Sequence, residues 1–298
     1  VFVDGASAGT TEFNGTLDTA SIQCSANAFY SKLKLYDQEL SEEEILELHS
    51  ATSSVSYPDG TDKLDGYEKT PNREVFNSGF DGSVAYRIPS IVTSKKTGTV
   101  FVAIDKRWEG SGDVGVIDNV IRRSEDNGNT WGPVIPVIDL ANNRGYTMDA
   151  SMVVDNQEDS EHYGSIYMMV DMFRDGVSLW GAQPGTGYTK IGDQYYQTLT
   201  HKDGNSYTVR EGGVVYDSDG EVTAYQVETE AEVPYNRQGT LFKDGEEIGS
   251  IYKGAELTMY NTCYLWMTYS DDDGLTWSLP KDITPYVKAD WMTFFGLG

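Results

Sequence analysis

The tetrapeptide Tyr86-Arg87-Ile88-Pro89 sets a guanidinium beside a proline ring that stiffens the backbone. A rigidly held guanidinium fork is what a planar carboxylate ligand needs, because two N–H donors can meet two oxygens at once. Downstream, an apolar run ends near Asp105, and a glycine-rich loop follows through Arg107, Glu109, Gly110, Gly112, Asp113 and Gly115. Asp105, Glu109 and Asp113 are all candidates for a general acid/base. Asp113 sits between glycines, which suits a group that must move over a substrate. Further on, Met148-Asp149-Ala150-Ser151 places another carboxylate at the head of an apolar run, where an ordinary turn acid is an equal reading.

Short strands must position these residues. Apolar runs at 86–92, 99–105, 119–123, 151–154, 166–171 and 263–269 are separated by turns. Between 188 and 262 strands continue, with hairpin signals at Lys202-Asp203-Gly204-Asn205, Asp217-Ser218-Asp219-Gly220 and Lys243-Asp244-Gly245. One eight-residue pattern occurs twice: Ser124, Asp126, Gly128, Thr130 and Trp131, then Ser270, Asp272, Gly274, Thr276 and Trp277. The chemistry is that of a hairpin turn. Aspartate accepts local backbone N–H bonds, glycine takes a positive φ, the hydroxyls tie the loop ends and tryptophan packs underneath. A repeated hairpin motif predicts a β-propeller, and the motif itself is structural.

Taken together, these motifs resemble the Arg-Ile-Pro motif and the Asp boxes of bacterial sialidases, glycoside hydrolase family 33. The resemblance implies that Arg87 is one of three arginines that clamp the sialic acid carboxylate. It implies that Asp113 is the general acid/base, reached after a one-residue insertion around 95–97. Arg107 then binds the sugar at its 4-hydroxyl end, and Asp149 lies in the same part of the pocket. Leu179-Trp180 matches an apolar pair beside the pocket, although a core position is the simpler expectation for Trp180. Residues 282–292 resemble the stretch after an Asp box in pneumococcal-type enzymes, and residues 188–262 resemble their inserted domain. The start of the chain, closing with Leu35-Tyr36-Asp37-Gln38-Glu39-Leu40-Ser41, resembles the end of their sialic-acid-binding lectin module.

The architecture this implies is all-β: a partial six-bladed sialidase β-propeller with an inserted small β domain, preceded by the end of a lectin-like β-sandwich. The expected divisions are 1–52 for the lectin end, 53–72 for a linker, 73–187 for the first blades, 188–262 for the insertion and 263–298 for the propeller again. For the whole protein the resemblance implies a retaining exo-α-sialidase acting on sialylated glycans of glycoproteins, glycolipids and oligosaccharides. An intramolecular trans-sialidase releasing a 2,7-anhydro sugar and a non-catalytic carbohydrate-binding propeller are the alternatives. The family's tyrosine nucleophile, its glutamate partner and two further arginines belong to later blades, so this chain alone is expected to be inactive.

Bulk properties agree with an extracellular, secreted or wall-attached protein. Among 298 residues, 39% hydrophobic and 23% charged content are globular values, and 12% aromatics with 31 glycines fit short strands and tight turns. A net charge of −25 repels nucleic acid and anionic membranes, so any acidic-sugar site must be a local basic pocket. Cys24 and Cys263 are expected to stay unpaired, and with His49, His162 and His201 scattered no metal or other cofactor is expected. No membrane insertion is expected and a monomer is. Ser41 with Glu44 three residues on forms a capping box that predicts a short helix over 41–49.

Overall fold

The computed structural model describes Phe2–Val3, Ala6–Ser7, Leu40, Ser41, Glu44 and residues 73–230 and 237–294. Two compact units divide the chain, 1–72 and 73–298. In the first, strands β1 (Phe2–Val3) and β2 (Ala6–Ser7) pair antiparallel. The capping box is formed: the Ser41 N–H donates to Glu44 Oε2 at 2.8 Å, and the Glu44 N–H donates to Ser41 Oγ at 3.2 Å. The strand expected before it, Cys24, His49, the rest of the helix and the 53–72 linker lie outside the described residues.

The second unit is built on one strand plan used twice. Strands β3 (Ala85–Thr93), β4 (Val100–Arg107), β5 (Ile117–Ser124) and β6 (Ile135–Ile138) form an antiparallel four-stranded meander. The second sheet begins with β7 (Tyr146–Val154) and β8 (Ile166–Phe173). The chain then leaves it for an eight-stranded sheet, β9 (Tyr188–Ile191), β10 (Gln194–His201), β11 (Ser206–Val209), β12 (Val214–Tyr216), β13 (Val222–Val227), β14 (Thr240–Lys243), β15 (Glu246–Ser250) and β16 (Leu257–Met259). It returns as β17 (Tyr264–Ser270) and β18 (Lys281–Asp282), which complete the order β7-β8-β17-β18. A single turn of helix, α1 (Thr284–Val287), follows. Both four-stranded sheets are propeller blades, and the fold is all-β.

Strands β4 and β8 read as nearly unbroken apolar runs because both of their faces are covered, between neighbouring strands and adjacent sheets. Phe101, Ala103 and Ile121 of one blade, Ile166, Met168 and Val170 of the other, and Leu199, Val215 and Leu241 of the inserted sheet share one buried cluster. Trp277 is buried beneath its turn, while Trp131 is half-buried.

The two Asp boxes occupy the same place, joining the third and fourth strand of each blade. Their bonds repeat. Gly128 and Gly274 N–H groups donate to Ser124 and Ser270 Oγ at 2.7 and 2.9 Å, and each glycine takes a positive φ, 80° and 79°. Thr130 and Thr276 N–H groups donate to Asp126 and Asp272 Oδ1, both at 2.8 Å. These bonds hold the Asp126 carboxyl down to about 2. The second box also ties the blades together: Asp273 accepts from the Thr97 and Thr99 hydroxyls at 2.7 Å each and from Arg123 Nη2 at 2.5 Å. Its neighbour Gly274 lies so close over Phe101 and Ile121 that a Cβ there would crowd both.

Asp273→Ala is expected to lower unfolding stability by about 1.5–3 kcal/mol, the range for hydrogen bonds to a charged group. Asn127→Ala, at the matching but exposed position of the first box, is expected to cost less than about 0.5 kcal/mol. Urea unfolding monitored by tryptophan fluorescence would measure both.

Candidate active site

Each blade opens with a strand that is broken at the same point. In β3 the register jumps between Arg87, opposite Asp105, and Ser90, opposite Ala103, so that Ile88 and Pro89 bulge out together. In β7 it jumps between Met148, opposite Asp171, and Ser151, opposite Met169, so that Asp149 and Ala150 bulge. Ile88 and Asp149 both take φ of 58°, a left-handed conformation costly for residues with a Cβ. Bulges re-aim the side chains beside them. A proline fits in the first because a bulged residue has no ladder bond to donate.

The register also fixes what lies beneath. Arg87 stands opposite Asp105, and Asp105 opposite Asn119. Arg107 is two residues along β4 and therefore on the same face as Asp105. The loop from Trp108 to Val116 then brings Asp113 back over this face. Asp113 Oδ1 accepts from Arg87 Nη1 at 2.8 Å and from Arg107 Nη1 at 2.7 Å. Arg107 is fully buried, and it also donates to the carbonyls of Ser111 and Gly112 and, through Nη2, to Asp105 Oδ2 at 2.8 Å. Arg87 and Asp113 remain open to solvent, their side chains 41% and 38% exposed.

The three loop carboxylates end in different environments. Asp105 is completely buried, and burial pushes it up to about 7 against the pull of Arg107. Glu109 is paired with Arg144 Nη1 at 2.8 Å, which holds its carboxyl below the usual value. Asp113 alone of the three is both exposed and beside Arg87. Asp149 is half-buried. Burial pushes it up, the Asp113 charge adds to that, and Arg107 and Arg87 pull it down. Arg87, Arg107, Asp113 and Asp149 therefore gather in one place.

Two residues of this site went unnoticed in the sequence. Arg144, at φ 60°, reaches Glu109 and also Asp175 at 3.2 Å, so it pins the start of the loop to the second blade. The Tyr146 hydroxyl lies against the carbonyl oxygens of Asp113 (3.2 Å) and Val177. Burial raises its phenol well above the ordinary value, which makes it a post for the loop rather than a nucleophile. Neither stands in a recognisable motif; each acts through a partner distant in sequence. The core position expected for Trp180 is wrong. It is 90% exposed, because the turn after β8 buries Val177 and packs Leu179 instead.

Propeller blades with Asp boxes, a bulge-mounted arginine and a loop carboxylate define the sialidase type of β-propeller, and this chain is a homologue of sialidases. It is 28% identical to the anhydrosialidase of Macrobdella decora, over 89% of this chain and 38% of that protein. It is 26% identical to sialidase B of Streptococcus pneumoniae, over 73% of this chain and 36% of that one. Among solved structures, the intramolecular trans-sialidase from Ruminococcus gnavus superposes with a TM-score of 0.60 at 24% identity, over 73% of this chain and 52% of that chain. No family model matches. The chain spans less than two fifths of the length of the curated relatives it matches.

Buried carboxyls contribute to the pH dependence of stability. Burial pushes Asp105 and Asp118 up to about 7 and Asp171 up to about 8. Neither Asp171 oxygen meets a strong donor; the Cys263 thiol, a weak one, is what acts on it. A carboxyl whose folded value is raised keeps its proton longer in the folded state, so its contribution is full at acid pH and is lost as pH rises through the folded value. The unfolding midpoint is therefore expected to fall between pH 5 and 8.5. Asp171→Asn should flatten that slope, raising stability at pH 8.5 relative to wild type. Urea titrations across this range would measure it.

Proposed function

We propose that this chain supplies the carboxylate-binding arginine and the acid/base of a retaining glycosidase that cleaves terminal sialic acids from extracellular glycans. The observation that carries this reading is the contact of Arg87 with Asp113 at 2.8 Å, on an otherwise strongly anionic chain. The Asp113 carboxylate sits where an acidic sugar's own carboxylate would sit on Arg87. An incoming substrate replaces it there, and the freed Asp113 takes up a proton from solvent and turns to the glycosidic oxygen.

The chemistry that follows is balanced by one proton. As the bond from the anomeric carbon to the leaving oxygen breaks, Asp113 gives that oxygen its proton, and a nucleophile bonds to the carbon from the other side. In the second step Asp113 takes a proton from the attacking hydroxyl as the nucleophile leaves. None of the described tyrosines beside Asp113 is suited to be the nucleophile, Tyr146 being buried. Retention therefore draws on a nucleophile that this reading assigns to no residue here.

The attacking hydroxyl is water in a hydrolase. A second reading makes it the sugar's own glycerol hydroxyl, giving a 2,7-anhydro product. It is favoured by the anhydrosialidase among the relatives.

In the full-length protein, Asp113→Asn is expected to lower kcat on sialyllactose by about 10²–10⁴-fold. The loss should be smaller on a sialoside with an aryl leaving group, which needs less protonation. Turnover within threefold of wild type on sialyllactose would remove Asp113 from the mechanism. NMR of the products separates free from 2,7-anhydro sugar and so decides between the two readings.

A further inference from the structure

The Asp105 side chain reaches further than a general structural carboxylate needs to. Its Oδ2 accepts from Arg107 Nη2 at 2.8 Å, and its Oδ1 accepts from Asn119 Nδ2 and from the backbone N–H of Asp149, both at 3.0 Å. One fully buried group thus grips a guanidinium on its own strand, an amide on the next strand and the bulged backbone of the neighbouring blade. Arg107 and Asp149, the residues at its two ends, are the ones placed around the pocket beside Arg87. We propose that Asp105 is a positioning residue that sets the spacing between Arg107 and Asp149 across the seam of the two blades, and so the fit of the sugar between them. The proposal rests on the glycosidase reading above.

The second blade supplies an internal comparison. Asp171 holds the register place of Asp105, opposite the first residue before the bulge. There, however, Phe173 stands where Arg107 stands, and Leu265 where Asn119 stands. An aspartate under the bulge belongs to the strand plan. The cationic and amide donors that fix its direction belong to the first blade alone, where the pocket is. Accepting a bulged N–H is a task an amide oxygen can also fulfil, whereas a carboxyl group holds a buried guanidinium more firmly than an amide does.

Asp105→Asn therefore separates the two tasks. In the full-length protein it should keep the fold with a lowered thermal midpoint, and raise KM for sialyllactose at least tenfold with a smaller change in kcat. Arg107→Ala should raise KM similarly, and adding Asp105→Asn to it should change KM by less than twofold further, because both act through the same guanidinium. A KM within twofold of wild type in the single variant, or multiplication of the two effects in the double variant, overturns the proposal. Should Asp105→Asn fail to fold, Asn119→Ala, which removes one grip on Asp105 without touching Arg107 or Asp149, is expected to raise KM about threefold; an unchanged KM overturns the proposal equally. Absence of any sialoside cleavage by wild type overturns the glycosidase reading itself, whereas an active wild type with an unaffected Asp105→Asn overturns only the role of Asp105.

Discussion

A guanidinium and a carboxylate buried together under a glycine-rich loop are the constraint on which this site depends. Neither Arg107 nor Asp105 could be taken from water alone without a heavy desolvation cost. Together they are tolerable, and the remaining donors of Arg107 are then available only upward, toward the backbone of residues 111–113 and the Asp113 carboxylate. The loop is glycine-rich and weakly structured on its own. Its position follows from the charge beneath it, reinforced at its start by Arg144 on Glu109 and at its far side by Tyr146.

The strand plan explains how a strongly anionic chain can bring two guanidinium groups together at one place. Both blades carry a left-handed bulge at the first strand and an aspartate opposite it. The repeated backbone supplies geometry, and the substitutions between the copies supply chemistry. Arginine at 87 and 107 in one blade corresponds to Met148 and Phe173 in the other. The local basic character comes from two side chains on one blade rather than from the surface as a whole.

Much of this was legible from residue order. The Asp boxes predicted the hairpins, their glycines and the propeller, because a turn's chemistry is local and leaves its signature in eight consecutive residues. The Arg-Ile-Pro motif located the guanidinium, and the glycine-flanked loop held the carboxylate that meets it. What could not be read has one physical origin. A bulge at Ile88 or Asp149 is imposed by register with a neighbouring strand and uses no glycine, so no local residue type announces it. Arg144 and Tyr146 gain their roles only from a loop more than thirty positions away. Trp180 was expected to be buried from its size; the turn that carries it is oriented by Val177 and Leu179, which took the interior places instead.

The eight-stranded insertion has a bearing on how the second blade can assemble. Strands β8 and β17 are neighbours in the sheet, yet the whole excursion lies between them, and long-range pairing of that kind slows folding through the entropy of closing the loop. Strand β10 relieves this. Its Gln197 pairs with Tyr188, where the excursion begins, and its Leu199 pairs with Met259, where it ends. Entry and exit therefore lie end to end along the one edge of β10 that faces away from β11, two register places or about 7 Å apart by the rise of a strand. Once this locally connected sheet has formed, it acts as a clasp. β8 and β17 then search for one another as the arms of a short hairpin, and the order of events favours the insertion before the blade it interrupts.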